Sequence, residues 1–112
     1  MKKAEINFKI VLDENNLPES IEWTASDTGD SGKSKAIMLA MWDEKEMNTL
    51  RIDLWTKEMK VDEMKRFFHQ NLLTMSDTFK RATGEESIVE DLKDYCEHFA
   101  EKMELNNPPE NN

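Results

Sequence analysis

Two segments near the start of the chain alternate apolar and polar residues. The apolar positions of the first are Ile6, Phe8, Ile10 and Leu12. This spacing of two is typical of a strand with one buried face. The intervening DENNLPE favours a turn, because Asp and Asn tolerate left-handed backbone and Pro fixes its own φ. The pattern therefore predicts a β-hairpin with strands over about residues 4–13 and 19–26.

A second hairpin follows from the apolar run AIMLAMW at residues 36–42. Its Ala, Met and Leu content favours helix, whereas a short apolar run between turn signals favours a buried strand. A turn at residues 43–48 would pair residues 35–42 with residues 49–56. That register puts six apolar side chains on one face, in the pairs Met41 with Leu50, Leu39 with Ile52 and Ile37 with Leu54. We therefore favour strand over helix here, with both alternatives open.

From Val61 the apolar residues recur at steps of three and four, as on one side of a helix. The pattern predicts a helix over residues 61–83, ended by Gly84 in left-handed backbone. Ser87 and Glu90 have the spacing of a capping box, with Ser87 as the N-cap, and predict a second helix over residues 87–105. Because a short loop joins them, the two helices should be antiparallel.

Together these elements predict an α+β fold. Its four-stranded antiparallel sheet, made of two hairpins, would be packed on one face by the C-terminal antiparallel two-helix hairpin. Residues 1–105 form a single domain in this prediction, and the acidic and polar residues 106–112, NNPPENN, form a disordered tail. The segment SDTGDSGKS at residues 26–34 is expected to be a mobile surface loop, since it lacks large apolar residues and the glycine spacing of a phosphate-binding loop.

Charge narrows the classes of partner. The chain of 112 residues has a net charge of −9, and residues 84–112 hold nine acidic residues against two basic ones. Nucleic acids and anionic membranes attract clustered Lys and Arg, so neither is an expected partner. We also find no export signal and no apolar run of about 18 residues, so membrane insertion is not expected. With a single cysteine, these features favour a cytoplasmic protein.

No group of residues predicts catalysis, a cofactor or a metal. Cys96 falls in an apolar helical stripe, where a thiol behaves as a small hydrophobe with a raised pKa. A metal site using His69 and His98 is a weak alternative, because neither histidine has a ligand partner at the usual spacing. We therefore expect a protein that is not an enzyme.

The tryptophans, by contrast, predict a functional surface. In the register of the second hairpin, Trp42, Trp55, Met38 and Arg51 lie on the face opposite the six apolar residues. Aromatic side chains offer a large contact area and are enriched at protein interfaces. We therefore expect a protein-binding patch of Trp42, Trp55, Met38 and Arg51, with Trp23 as a further member. The alternative is that a loop or the first hairpin covers them.

Several stretches of the chain resemble a known family. LRIDLWTKEMKVDEMKRFFHQ, the opening EINFKIVLDENNLPESIEW, and the later TFKRATG and DYCEHFAEK are similar to the GldC family of gliding-motility accessory proteins of Bacteroidota. The resemblance covers about residues 4–105. It implies an accessory component of the gliding machinery and its linked secretion system, with protein partners, and supplies no catalytic or ligand residues.

The expected layout is also similar to that of the SecB-type export chaperones. Four antiparallel strands followed by a helical hairpin would suit a chaperone or export adaptor that binds unfolded clients through an apolar sheet face. No sequence motif supports this alternative, so it is an analogy of fold alone. The sequence leaves open a homo-oligomer and the identity of the partner.

Overall fold

The structure is a computed structural model that describes residues 1–107. Within these residues, five strands precede two helices: β1 Ile6–Leu12, β2 Pro18–Ala25, β3 Ser31–Ser34, β4 Ala36–Asp43, β5 Asn48–Trp55, α1 Val61–Thr83 and α2 Glu86–Lys102. The chain divides into two compact units, the first of residues 1–59 and the second beginning at Lys60. The α+β class is as expected, and the single domain over residues 1–105 stays a prediction.

The prediction of one four-stranded sheet is wrong. The strands form two antiparallel sheets, one of three strands in the order β1-β2-β3 and one of two strands, β4 and β5. The third strand of the first sheet, β3, comes from the segment that we expected to be a mobile loop. SGKS has no pattern of apolar side chains that would predict a strand. It pairs with β2 through backbone groups, which are the same in every residue but proline.

Gly32 in β3 has a specific packing role. It lies opposite Trp23 of β2, and a Cβ atom at this position would lie 2.9 Å from the indole nitrogen of Trp23. The indole therefore occupies the space that any larger residue would need. A glycine within a strand is typical of such a close approach, and this one brings β3 against the tryptophan.

The second hairpin has the predicted register. Trp42 pairs with Thr49, Ala40 with Arg51 and Ala36 with Trp55, so residues 36–42 are strand rather than helix. The turn is set by Asp43, whose carboxylate accepts the backbone N–H of Glu46 at 2.6 Å. Met47 completes it with a φ of 54°. The apolar pairing between strands was therefore a better guide here than the helix propensity of the segment.

One face of this hairpin is more exposed to solvent than the sequence predicts. We call Ile37, Leu39, Met41, Leu50, Ile52 and Leu54 the aliphatic face. None of the six is buried, and Met41, Leu50 and Ile52 are 45–47% exposed. The sequence predicted a core for these side chains. The prediction that the helices cover one face of a sheet stays a prediction.

The helices begin and end largely as predicted. Helix α1 has the expected bounds, and Gly84 ends it with a φ of 74° while its N–H donates to the carbonyl of Lys80 at 2.8 Å. Helix α2 begins at Glu86 with Glu85 as its N-cap. Ser87 is therefore inside the first turn, and the predicted capping box at Ser87 is wrong.

The two helices are antiparallel and share a narrow seam. Contacts between them run in opposite order along the chain: Phe68 stacks on Phe99 at 5.7 Å between ring centroids, Asp77 pairs with Lys93 at 3.0 Å, and Lys80 lies 4.0 Å from Glu86. The buried residues of the pair are small or medium in size: Ser76, Val89, Cys96 and Ala100. Small residues allow close approach of the two backbones.

The end of α2 also differs from prediction. The helix stops at Lys102, and the carbonyls of Leu105 and Asn107 accept hydrogen bonds from the Arg66 guanidinium at 3.1 and 2.9 Å. The first residues of the predicted tail are thus fixed to α1. Residues 108–112 of that tail lie outside the described residues.

Candidate protein-binding surface

Trp42 and Trp55 lie on one face of the β4–β5 hairpin. The residues of this tryptophan face are Ala36, Met38, Ala40, Trp42, Thr49, Arg51, Asp53 and Trp55. Trp42 is 66% exposed and Trp55 59%, so the alternative in which a loop covers them is wrong. An indole exposed to this degree on a strand leaves a large apolar area in water. The tryptophan face is therefore an available contact surface.

The two tryptophans are at opposite ends of this face. Trp55 of β5 is paired with Ala36 of β4, and Trp42 is six residues further along β4. At about 3.3 Å per residue, roughly 20 Å separates them. Met38, which is partly buried, lies between them, so the candidate residues form an elongated strip rather than one cluster.

Arg51 is held in place by Asp53, two residues further along β5. Its guanidinium donates two hydrogen bonds to the Asp53 carboxylate, at 2.8 and 3.1 Å, and this pairing raises the pKa of Arg51. Such bidentate pairs fix the orientation of the guanidinium plane. The charge at the middle of the strip is thus balanced, and the two tryptophans flank a neutral centre.

Trp23 is not part of this strip. It belongs to β2 in the three-stranded sheet, is only partly exposed, and lies against Gly32. Its indole therefore packs within its own sheet. The structure brings together Trp42, Met38, Arg51 and Trp55 on one face and places Trp23 on the other sheet.

A cavity opens beside Trp55, which sequence reasoning missed. We call it the Trp55 cavity. Its volume is about 370 Å³, and its lining is largely apolar: Leu17, Pro18, Asp53, Leu54, Trp55, Thr56, Lys57 and Met59. Ligand sites in proteins are typically concave and mainly apolar with a few polar groups. The only sequence signal was the presence of Leu17 and Met59 in otherwise polar connections.

An ion pair fixes one wall of this cavity. Asp13 accepts the backbone N–H groups of Asn15 and Leu17 at 2.8 and 3.0 Å, and its carboxylate also contacts the ammonium of Lys57. Lys57, together with the two backbone donors, lowers the pKa of Asp13, and Asp13 raises the pKa of Lys57. The turn that carries Leu17 is thereby tied to the segment that follows β5.

Comparison with known proteins identifies the family. The family model described as gliding motility-associated protein GldC-like matches residues 18–105. The chain belongs to the GldC-like family. It is therefore a gliding-motility associated protein, as the resemblance implied. The GldC-like match includes β2 to β5 and both helices, and hence the whole tryptophan face.

No curated protein and no solved structure matches this GldC-like chain. Within residues 1–107, neither helix is long and apolar enough to cross a membrane. The described part of the chain also holds no group of three or more His, Cys, Asp or Glu side chains placed to bind a metal ion.

The residues weighed for catalysis have structural contacts. Cys96 is buried in the helical seam, and this burial raises the pKa of its thiol. His69 stacks on Phe99 with ring centroids 6.1 Å apart, and His98 lies 5.9 Å from the Tyr95 ring. Each histidine therefore packs against an aromatic ring within the helical pair.

Proposed function

We propose that this GldC-like chain is a cytoplasmic, non-enzymatic accessory protein that binds a protein partner of the gliding machinery and its linked secretion system. The tryptophan face is the binding surface in this proposal, with Trp42 and Trp55 as its anchors and Met38 and Arg51 between them. Trp23 is assigned a structural role in its own sheet. The observation that carries the proposal is the exposure of both indoles on one strand pair.

The chemistry of these side chains supports binding. Tryptophan is over-represented among the residues that contribute most to binding energy, and it has only two side-chain torsions to immobilise. An exposed apolar strip flanked by polar residues is typical of an interaction site. The balanced Arg51 and Asp53 pair adds orientation without a net charge that a partner would have to neutralise.

The burial of the thiol of Cys96 supports a non-enzymatic role. The described chain's only cysteine is buried, and its thiol has a raised pKa, which lowers the fraction of reactive thiolate. The largely apolar Trp55 cavity is better suited to contact than to proton transfer. We expect no turnover of a small molecule by this chain.

The test is the double variant Trp42→Ala with Trp55→Ala. Because both side chains are exposed, the circular dichroism spectrum and melting temperature should change little. Affinity capture from native cell extract, analysed by mass spectrometry, should lose the specific partner that the wild type retains. Tyr95→Ala is the matched control, since Tyr95 is an equally exposed aromatic residue on α2. Unfolding of the double variant, or retention of the partner by it, would contradict the proposal.

A second candidate function is a general chaperone or export adaptor. The observation in its favour is that the aliphatic face is also nearly half exposed at Met41, Leu50 and Ile52. Such a protein should suppress aggregation of an unrelated unfolded enzyme, measured by light scattering. The variant Leu50→Ser with Ile52→Ser should abolish that suppression. A dedicated accessory protein should instead show no suppression and saturate with one partner.

A further inference from the structure

The Trp55 cavity has features that the tryptophan face alone does not explain. The face is one side of the β4–β5 strand pair, whereas the cavity is a recess of about 370 Å³ between the start of β2 and the end of β5. Leu17 and Trp55 line it from two different segments, and both side chains are at least half exposed. An apolar recess of this size next to an exposed indole can enclose one aliphatic side chain of a partner.

A buried hydroxyl lies in the wall of this cavity. Thr56 is 3% exposed, and its Oγ1 has no hydrogen-bond partner among the described residues, whereas its backbone N–H donates to the Lys35 carbonyl at 2.8 Å. Unpartnered buried hydroxyls are uncommon, because each loses its hydrogen bonds to water. Thr56 therefore supplies the cavity lining with a hydroxyl whose hydrogen-bonding capacity is unused.

The surface next to the cavity is acidic. Lys57, at the rim, also lines a second recess of about 480 Å³ together with Asp13, Glu14 and Glu19. Lys57 is paired with Asp13, so the carboxylates of Glu14 and Glu19 set the charge of this recess. These carboxylates would attract a cation bound there at short range.

We propose that the Trp55 cavity is a peptide subsite that takes one aliphatic side chain of a partner segment, while a flanking Lys or Arg of that segment pairs with Glu14 or Glu19. This inference rests on the proposed function and specifies the chemistry of the partner. Thr56 donates a hydrogen bond to a carbonyl oxygen of the bound segment. The occupant is an extended basic and apolar stretch of a protein, not a second copy of this acidic chain.

Three blocked heptapeptides test this proposal. Each has a central leucine, flanked by two lysines, two glutamates or two serines, and each is titrated into the full-length ¹⁵N-labelled chain by NMR. The lysine peptide should shift the Trp55 indole and the Thr56 and Lys57 amides in a saturable way. It should bind at least fivefold more tightly than the glutamate peptide at low salt. Equal binding of the lysine and glutamate peptides, or an unmoved Trp55 indole, would overturn the proposal.

Two matched pairs of variants test the assigned contacts. Glu14→Gln with Glu19→Gln should weaken the lysine peptide about fivefold and leave the serine peptide unchanged, whereas the exposed Glu44→Gln should alter neither. Thr56→Val should weaken all three peptides about three- to tenfold, the effect of one lost hydrogen bond. Thr24→Val, an exposed threonine of β2 outside the cavity lining, should have no effect. Unchanged binding by Thr56→Val would overturn the role of its hydroxyl.

A last variant separates this inference from the proposed function. Leu17→Ala opens the cavity wall but leaves the tryptophan face intact, because Leu17 is not on β4 or β5. It should weaken the lysine peptide about tenfold. If Trp42→Ala with Trp55→Ala abolishes partner capture but Leu17→Ala changes no peptide affinity, the subsite is wrong and the binding face stands. If Leu17→Ala weakens the peptide while the double variant keeps its partner, the proposed function is wrong, and the cavity is a peptide site that this partner does not use.

Discussion

The helical pair and the β4–β5 hairpin differ in how far their apolar side chains are buried. In the helical pair, small and medium side chains fill a buried seam that includes Val89 and Cys96, and larger side chains such as Tyr95 are exposed. In the hairpin no residue is buried, and both faces carry large apolar side chains that remain in part exposed. The helical pair therefore uses its apolar residues for packing, while the hairpin keeps them available for contact.

A charge in the buried seam of the helical pair should have the largest effect. Cys96→Asp buries a carboxylate without a partner and should lower the free energy of unfolding by about 3–5 kcal/mol. Thermal unfolding followed by circular dichroism at 222 nm measures it. The neighbouring Tyr95→Asp, on an exposed side chain, should change the free energy of unfolding by less than about 0.5 kcal/mol. Similar effects of the two substitutions would contradict the buried seam.

Two substitutions to threonine compare the regions directly. Val89→Thr keeps the shape of the side chain but buries a hydroxyl in the seam, at a cost of about 1–3 kcal/mol. Ile52→Thr in the half-exposed aliphatic face should cost less than about 1 kcal/mol, because the hydroxyl stays in reach of water. Urea unfolding measures both variants. If Ile52→Thr were the more destabilising, the aliphatic face would be core, as its pattern alone predicts.

Two glycines should respond to alanine for different reasons. Gly84→Ala places a side chain in left-handed backbone, which costs about 1–2 kcal/mol. Gly32→Ala has ordinary backbone but meets the Trp23 indole, so it should displace that ring and shift its N–H signal in ¹⁵N NMR. An unchanged Trp23 signal in Gly32→Ala would contradict the close approach of β3.

The smallest expected effect concerns pH. The pKa of Asp13 is lowered from 3.8, so its stabilisation is present above that value and is lost as pH falls through the lower pKa of the folded protein. The pKa of Lys57 is raised from 10.5, so its stabilisation is present below that value and is lost as pH rises through the higher folded pKa. The protection factor of the Leu17 amide, which is its intrinsic exchange rate at a given pH divided by the observed rate, should thus be highest between these limits.

Asp13→Asn is the control for this pH dependence. It keeps the size of the side chain and removes the carboxylate that titrates. In this variant the acid-side change in Leu17 exchange should disappear. If the wild type and Asp13→Asn showed the same change at low pH, Asp13 would not be the group responsible.

Local patterns predicted the elements more reliably than the way they assemble. The register of β4 with β5 and the end of α1 at Gly84 follow from side-chain spacing and from the backbone freedom of glycine. The strand β3 escaped prediction, because SGKS pairs through its backbone and carries no side-chain pattern. Ser87 was misassigned as an N-cap, because the N-cap of helix α2 is Glu85, two residues earlier.

The candidate site shows the same division. Alternation alone placed Trp42, Met38, Arg51 and Trp55 on one face, because strand pairing fixes which side chains share a side. It also grouped Trp23 with them, since no local signal says which sheet a strand joins. The Trp55 cavity could not be predicted, because Leu17 and Trp55 are distant in sequence and meet only when β2 and β5 are in place.

Sequence alone accounts for the strands of both hairpins, the two helices and the family. It also accounts for the apolar character of both faces of the β4–β5 hairpin. These follow from periodicity and from residue types, which act over a few positions. Three further features depend on tertiary contacts: the strands divide into two sheets, the aliphatic face stays half exposed, and a cavity with an unpartnered threonine hydroxyl lies beside Trp55. Exposure and cavities depend on which distant segments meet, and that information is not contained in local spacing.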